Sequence, residues 1–227
     1  KIYNFNIMKG FKKKKFKVTF LIEKNNNWIE QSLIKYKFNL EKKYSFRIQK
    51  NYKNIKNEDI VFILNNTKIL PENFLNKNKL NLIVHASKLP KDRGFAPVQY
   101  QVLRGKNIID ISLLEAAKEV DTGDIFLRDK FMLDKDDLSN EIRKKQAKAM
   151  LNIIKKFLDK YPKLKRNKQK GTSNFNKRRY SDSNQLNINK SIKSQFNILR
   201  IANNEDYPTQ FKIHKKNYIL KIYKKEN

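Results

Sequence analysis

The chain has 227 residues with 52 Lys or Arg against 22 Asp or Glu, a formal net charge of +30, 39% hydrophobic residues and no Cys. The lack of Cys excludes a disulfide scaffold, a cysteine nucleophile and a thiolate metal site, and the two widely separated histidines do not suggest zinc, so we expect no metal. No apolar run approaches the ~20 residues of a membrane span, which predicts a soluble, cytoplasmic protein with no membrane partner.

The positive charge suggests a nucleic-acid partner, because clustered Lys and Arg gain from the release of counterions around phosphates. However, the excess is mostly Lys, accompanied by many Asn and Ile, and these are residues of A/T-rich codons. Proteins that bind phosphates and bases usually rely on the planar fork of Arg, which is scarce here. We therefore attribute most of the charge to genome composition and keep nucleic-acid binding as an alternative.

The first half of the chain alternates predicted strands and short helices. In chain order, the apolar spacing predicts strands over 18–22, 44–48, 60–64 and 80–84, with a helix over 28–36 and a helical turn within 70–75. Continuous apolar strands that alternate with helices are typical of parallel sheets covered on both faces. The predicted fold is therefore α/β, a Rossmann-like, mostly parallel sheet with flanking helices.

The second half begins with a helix that runs from Pro97 to Gly105, since Pro costs no hydrogen bond at the first helical position and Gly suits the C-terminal end. Two strands follow, over 109–114 and 125–131, and Asp134 is predicted to cap a long helix that ends before Pro162. Residues beyond Pro162 are basic with few apolar side chains, which predicts a linker. A short helix and a small C-terminal β-hairpin are predicted to close the chain.

One histidine stands out by its surroundings. His85 ends a predicted strand, where open α/β sheets place their ligands. The motif continues with Ser87, Leu-Pro over 89–90, Arg-Gly over 93–94 and Pro97, and an Asp-Thr-Gly turn begins at Asp121. From 81 to about 128 the sequence resembles the folate-dependent formyltransferases, without gaps. A weaker resemblance covers roughly 17–224, and over 191–224 it is most similar to enzymes that formylate amino sugars on nucleotide carriers.

The resemblance implies a division of the chain into four parts. Residues 1–16 form a basic N-terminal segment, and residues 17–162 form the formyltransferase catalytic domain. Residues 163–190 are a basic linker, and residues 191–227 are a small extension made of a helix and a β-hairpin.

Formyl transfer is acyl transfer to an amine, so a base must take a proton and a donor must stabilise the formyl oxygen. The resemblance implies that His85 is the base, and that Asp121 holds its tautomer and stabilises the imidazolium. The family has an Asn two positions before the His, but here Ile83 stands there. Asn81 lies about 13 Å further down the strand, at roughly 3.3 Å per residue. We therefore favour Asn65, which follows a neighbouring strand, as the oxygen's donor; the alternative is that the missing Asn impairs the activity.

The substrate sites follow from the same resemblance. It implies 10-formyltetrahydrofolate as co-substrate, in a pocket formed by Ile63, Leu64, Asn65, Val120 and Gly123. The acceptor candidates lie in the loop after the histidine and are Ser87, Lys91 and Arg93. Among these, Arg93 offers a bidentate fork for phosphate.

The predicted function is transfer of a formyl group from 10-formyltetrahydrofolate to the amino group of a nucleotide-linked amino sugar. The first alternative is formylation of methionyl-tRNA. Enzymes of the family with that activity carry a β-barrel after the catalytic domain, and the residues after Tyr180 are too few for five strands. The second alternative is a non-catalytic nucleic-acid-binding protein that retains the fold. The sequence leaves open whether the chain forms a homodimer.

Overall fold

A computed structural model of the chain describes residues 15–24, 26–36 and 40–225. Most of the basic segment predicted over 1–16 lies outside these ranges. The strands, in chain order, are β1 (Phe16–Ile22), β2 (Tyr44–Gln49), β3 (Ile60–Leu64), β4 (Asn81–His85), β5 (Arg93–Gly94), β6 (Ile108–Glu115), β7 (Ile125–Met132), β8 (Phe175–Asn176), β9 (Thr209–Ile213) and β10 (Lys216–Leu220). The helices are α1 (Asn27–Lys35), α2 (Glu72–Leu75), α3 (Pro97–Leu103), α4 (Ser139–Lys160) and α5 (Ile192–Ile201).

A six-stranded sheet with the order β2-β1-β3-β4-β6-β7 forms the centre. The first four strands are parallel, whereas β6 runs antiparallel to β4 and β7 antiparallel to β6. All five residues of β3 are buried, because both faces of the sheet are covered. The predicted α/β architecture with a mostly parallel sheet is confirmed, and β9 and β10 form the predicted hairpin.

Two apolar layers cover the sheet. On one face, the helix α4 contributes Ile153, Ile154 and Phe157 to the largest core cluster, together with residues of α1 and of the central strands. On the other face, Phe74 of α2 packs with residues of β1 and β3. No helix within the described ranges is long and apolar enough to cross a membrane.

The long helix begins later than the sequence predicts. Asp134 is not its cap, because α4 begins at Ser139, where the side chain of Glu141 accepts a hydrogen bond from the backbone N–H of Leu138 at 2.8 Å. Asp134 instead forms a turn in which its carboxylate and that of Asp137 both bind Lys145 at 2.6 Å. The carboxylate of Asp134, which the sequence pattern assigned to the start of the helix, therefore binds a lysine that it shares with Asp137.

The basic segment after α4 lies against the domain. Asn167 exchanges two backbone hydrogen bonds with Ile125, at 2.8 and 2.9 Å. Further along, β8 pairs in parallel with β5, the short strand that follows the His85 loop. This part of the chain was predicted as a linker because it lacks apolar residues. Backbone hydrogen bonds, which leave no trace in hydropathy, hold it in place.

Candidate active site

His85 is fixed at the carboxyl end of β4. Its Nε2 atom lies 2.7 Å from the backbone oxygen of Asp92. Because a carbonyl oxygen only accepts, Nε2 carries the hydrogen, and Nδ1 is the ring nitrogen left to take up a proton. Nδ1 lies 3.5 Å from the Oδ2 atom of Asp121, and both side chains are only 7% exposed. The tautomer is thus set by the Asp92 carbonyl, rather than by Asp121 as the sequence suggested.

Asp121 is held in a constrained loop. Its backbone φ is 56°, in the left-handed region. Its Oδ2 atom accepts a hydrogen bond from the backbone N–H of Gly94 at 2.9 Å. The same carboxylate oxygen therefore faces the backbone of β5 and the imidazole of His85. A proton taken up at Nδ1 would create an imidazolium next to this buried carboxylate, which stabilises that charge.

Gly123 shapes the same loop, although not by contact with a ligand. A Cβ atom at this position would lie 1.9 Å from the backbone oxygen of Glu115, at the end of β6. Gly123 is also absent from the cavity lining within the described residues. The glycine is needed because two backbone segments approach closely, whereas the resemblance placed it in the folate pocket.

We expect Gly123→Ala to destabilise the protein by about 1–3 kcal/mol, the usual range for forced overpacking, and to lower kcat by displacing Asp121. Gly105→Ala is the control, because Gly105 has a φ of +80° but no atom within 4 Å of the added Cβ. The control variant should lower the free energy of unfolding by roughly 1–2 kcal/mol, because Ala is unfavourable in a left-handed backbone, and it should leave kcat unchanged. Urea unfolding and turnover rates measure both effects, and equal kcat values for the two variants would contradict this account.

A cavity of about 1060 Å³ opens beside His85 and Asp121. The residues after β1 and β3, Glu23 and Asn65, reach it together with His85 at the end of β4. The carboxyl ends of three parallel strands therefore meet here, as expected for a ligand site of an open α/β sheet. Typical sites for one ligand hold about 300–1,000 Å³. The volume of this cavity lies at the upper end of that range.

The cavity has two chemically different walls. One wall is largely apolar and includes Ile63, Leu70, Leu75, Ile83, Ala116 and Val120. The other contains the guanidinium groups of Arg143, Arg178 and Arg179. Arg143 projects from α4, and Arg178 and Arg179 follow β8. The lining therefore offers an apolar surface for a ring system and positive charge for an anionic group.

Arg143 is the least satisfied of the three arginines. Within the described part of the chain it makes no hydrogen bond and no ion pair within 4 Å, and the Asp206 carboxylate acts on it only from further away. Burial lowers the pKa of the Arg143 guanidinium, and the charge of Asp206 partly opposes this shift. Arg179 donates to Ser183 and Asn184, and Arg178 lies over the ring of Phe95 at 5.0 Å. A half-buried cation with no acid in direct contact is costly, so this position favours an anion.

The structure brings only part of the predicted site together. The predicted residues that line the cavity are His85, Asp121, Ile63, Asn65 and Val120. Leu64 points into the core. The hydroxyl of Ser87 donates to the backbone oxygen of Lys91 at 2.7 Å, and Nη2 of Arg93 donates to Gln169 at 2.8 Å. Ser87, Lys91 and Arg93 are not among the described residues that line the cavity.

The structure shows where three residues lie that bear on the family's missing asparagine: Ile83, Asn81 and Asn65. Ile83 lies on the cavity wall, so an apolar side chain stands where the resemblance implies an amide. Asn81 is only 6% exposed, and its amide donates to the backbone oxygen of Leu75. The amide of Asn65 reaches the cavity and donates to Oδ1 of Asn26 at 2.6 Å. An amide group has two N–H donors, so Asn65 retains a second one.

Sequence reasoning missed Arg143, Asp92 and Gln169. Arg143 lies on the polar side of a long helix, where basic residues are common, and no local pattern separates it from its neighbours. Asp92 acts through its backbone oxygen, and because every residue has such an oxygen, the residue type does not indicate this role. Gln169 lies in the segment predicted as a linker. Among the residues that the structure describes, no group of three or more His, Asp or Glu is arranged to hold a metal ion.

The fold and the site define the class: a Rossmann-like α/β protein with a buried His–Asp pair at the carboxyl edge of its sheet. A family model described as formyl transferase matches residues 9–158. The chain therefore belongs to the formyl transferase family.

Two curated relatives illustrate the sequence similarity. A methionyl-tRNA formyltransferase from Sulfurihydrogenibium sp. is 36% identical over 108 residues, 47% of this chain and 35% of that protein. The bifunctional polymyxin resistance protein ArnA of Wigglesworthia glossinidia brevipalpis is 30% identical over 146 residues, 63% of this chain and 22% of that protein. The matched region thus spans about a third or less of these relatives.

Solved structures with low sequence identity share the fold. A methionyl-tRNA formyltransferase from Clostridium thermocellum superposes with a TM-score of 0.78 at 20% identity, over 93% of this chain and 94% of that chain. A 4-N formyltransferase from Francisella tularensis gives a TM-score of 0.69 at 14% identity, over 93% and 99%. HypX from Aquifex aeolicus, in complex with tetrahydrofolic acid, gives 0.68 at 17% identity, over 90% and 37%.

Proposed function

We propose that this protein is an N-formyltransferase that moves a formyl group from 10-formyltetrahydrofolate to an amino group. The observation that carries the proposal is the buried pair of His85 Nδ1 and Asp121 on the wall of a cavity of about 1060 Å³. Membership of the formyl transferase family supports the same chemistry. The tetrahydrofolate complex of HypX, a protein of the same fold, supports the folate donor.

In the proposed reaction, the acceptor amine attacks the formyl carbon, and its proton passes to Nδ1 of His85. The bond between the formyl carbon and N10 of the folate then breaks, and the proton goes to the departing N10. Asp121 stabilises the imidazolium between these two steps. The apolar wall with Ile63 and Val120 suits the ring system of the folate.

The formyl oxygen needs a donor as negative charge develops on it. We assign this role to the second N–H of Asn65, whose amide is oriented by Asn26. Replacing Asn65 by Ala should lower kcat by about 10²–10³, the usual cost of one such donor, with little change in donor affinity. Asn57→Ala is the control and should leave kcat unchanged, since it makes the same substitution at another residue with left-handed backbone, with a φ of 58° against 50° for Asn65, outside the cavity lining within the described residues. An unchanged kcat for Asn65→Ala would remove it from this role.

For the acceptor, we propose the amino group of a nucleotide-linked amino sugar. Arg143, which has no ion pair within 4 Å among the described residues, provides positive charge in the lining of this cavity together with Arg178 and Arg179. A diphosphate supplies the anion that this wall lacks, and guanidinium forks bind phosphate bidentately. These arginines replace the loop residues Lys91 and Arg93 as our candidates for phosphate contacts.

Replacing Arg143 by Ala should raise KM for the acceptor about 10-fold or more, because charge-assisted hydrogen bonds contribute roughly 1.5–3 kcal/mol, and it should leave kcat within about threefold. The contact is made equally in the ground and transition states, so it acts on binding. The adjacent Lys144, which is exposed, provides the control as Lys144→Ala. Steady-state kinetics with varied acceptor decide the matter, and an unchanged KM would contradict the assignment.

Methionyl-tRNA is the second candidate acceptor, and the similarity to methionyl-tRNA formyltransferases in both sequence and fold favours it. The net charge of +30 also suits a tRNA. Purified protein is incubated with labelled 10-formyltetrahydrofolate and either methionyl-tRNA or a panel of amino sugar nucleotides. Label in the sugar nucleotide supports our proposal, and label only in the tRNA establishes the second candidate. RNA binding without transfer to either would favour a non-catalytic nucleic-acid-binding protein.

A further inference from the structure

Residues 167–176, which we call the strap, run past both loops that hold the His–Asp pair. At its start, Asn167 pairs with Ile125 in the backbone. At its end, the backbone oxygens of Asn174 and Asn176 each accept a hydrogen bond, at 3.1 Å, from the N–H groups of Arg93 and Phe95. The strap is thus attached on both sides of the site, although its own side chains do not line the cavity within the described residues.

Gln169 of the strap binds the Asp121 loop. Its Nε2 atom donates to the backbone oxygens of Asp121 and Gly123, at 2.7 and 2.8 Å. Its Oε1 atom accepts from Nη2 of Arg93 at 2.8 Å. Both N–H donors of the amide and its oxygen are therefore used, and they join the Asp121 loop to β5. This loop places the Asp121 carboxylate in a left-handed turn that few residues adopt without support.

Asn174 of the strap binds the other loop. Its Oδ1 atom accepts from the backbone N–H of Asp92 at 3.0 Å. Asp92 has a φ of 59°, and its carboxylate is held by Arg104 at 2.6 Å. The backbone oxygen of Asp92 accepts the hydrogen of His85 Nε2. Asn174 therefore supports the carbonyl that determines which nitrogen of His85 is free.

We propose that Gln169 and Asn174 are positioning residues for formyl transfer: Gln169 aims the Asp121 carboxylate, and Asn174 maintains the Nε2–H tautomer of His85. The inference rests on the proposed function, but it concerns a segment that contacts neither substrate. Its physical basis is that acyl transfer requires the base and its carboxylate within a fraction of an ångström of the productive geometry. The strap supplies that geometry by hydrogen bonds to the backbone around Asp121 and Asp92, both of which have a left-handed φ.

Kinetics test Gln169. We expect Gln169→Leu, which keeps the side-chain size, to lower kcat about 10- to 100-fold, with KM for 10-formyltetrahydrofolate within about threefold. The exposed neighbours give matched controls, Lys168→Ala and Lys170→Ala, which should leave kcat unchanged. In an Asp121→Asn background, Gln169→Leu should cost less than threefold, since the carboxylate that it aims is gone. An additive effect in the double variant, or a kcat within twofold in the single one, would overturn the role of Gln169.

Nuclear magnetic resonance tests Asn174 without reference to activity. The chain contains two histidines, His85 and His214, so a His214→Asn variant assigns the ring ¹⁵N signals of His85. At a pH where the ring is neutral, these signals should show the Nε2–H tautomer, and Asn174→Ala should shift them towards a mixture of tautomers. Unshifted signals would overturn the role of Asn174. If the unmodified protein transfers no formyl group, the proposed function fails, whereas this measurement still decides whether the strap sets the tautomer.

Discussion

Replacing His85 by Ala is expected to lower the rate of formyl transfer by about 10²–10⁴, the usual contribution of a general base. Nδ1 of His85 is the ring nitrogen that can take up the proton, because Nε2 donates to the Asp92 carbonyl. Without the imidazole, the attacking amine loses the nitrogen base at this position of the cavity. Single-turnover rates with labelled 10-formyltetrahydrofolate measure the loss, and KM for the donor should change little.

His214→Asn is the matched control for this variant. His214 lies in the turn of the C-terminal hairpin with a φ of 47°, and Asn tolerates this conformation better than Ala. The control should keep the rate and the folded state of the unmodified protein. A His85→Ala protein that folds and retains most of its activity would show that another group accepts the proton, and our assignment would then be wrong.

Replacing Asp121 by Asn is expected to lower kcat by a similar factor, about 10²–10⁴. Asn has nearly the same shape, and its side-chain oxygen can still accept from the backbone N–H of Gly94. The change therefore removes the negative charge without removing the contact that holds the loop. The imidazolium of His85 would then form in a buried site without a counterion, and that cost enters the barrier directly.

The control for this charge removal is Asp129→Asn. This variant also loses a carboxylate that accepts a hydrogen bond from a basic residue, Lys156, at 2.6 Å. Among the described residues, however, Asp129 is not one that lines the cavity. Its effect should be limited to stability, and the kcat of the folded protein should be unchanged. Equal rates for Asp121→Asn and the unmodified protein would show that the carboxylate plays no electrostatic part in transfer.

The centre of the sheet was predictable from the chain because the strands β3 and β4 are buried on both faces. The run from 60 to 64 is continuously apolar, and the structure forms β3 over the same residues. The motif that begins at His85 was equally informative, since its elements lie in one continuous stretch that carries the family resemblance. The family membership of the chain is accordingly confirmed.

The positions of acids and amides were less predictable, because the partner of a polar side chain is chosen by tertiary structure. Asp134 has the residue type of a helix cap, but Lys145, a full turn or more into α4, binds it instead. Arg93 has the residue type of a phosphate ligand, yet its guanidinium donates to Gln169. Local sequence contains no information about such distant partners.

By itself, the sequence determined the α/β fold, the family and the pair of residues, His85 and Asp121, on which the proposed chemistry depends. Apolar periodicity and a contiguous motif are local signals, so they can be recognised in the sequence without the structure. Only the tertiary structure decided which nitrogen of His85 is free and which arginines face the cavity. It also decided that residues 167–176 form hydrogen bonds with both loops of the His–Asp pair. Each of these depends on backbone carbonyls or on side chains far apart in the chain, which become neighbours only when the sheet and its loops have formed.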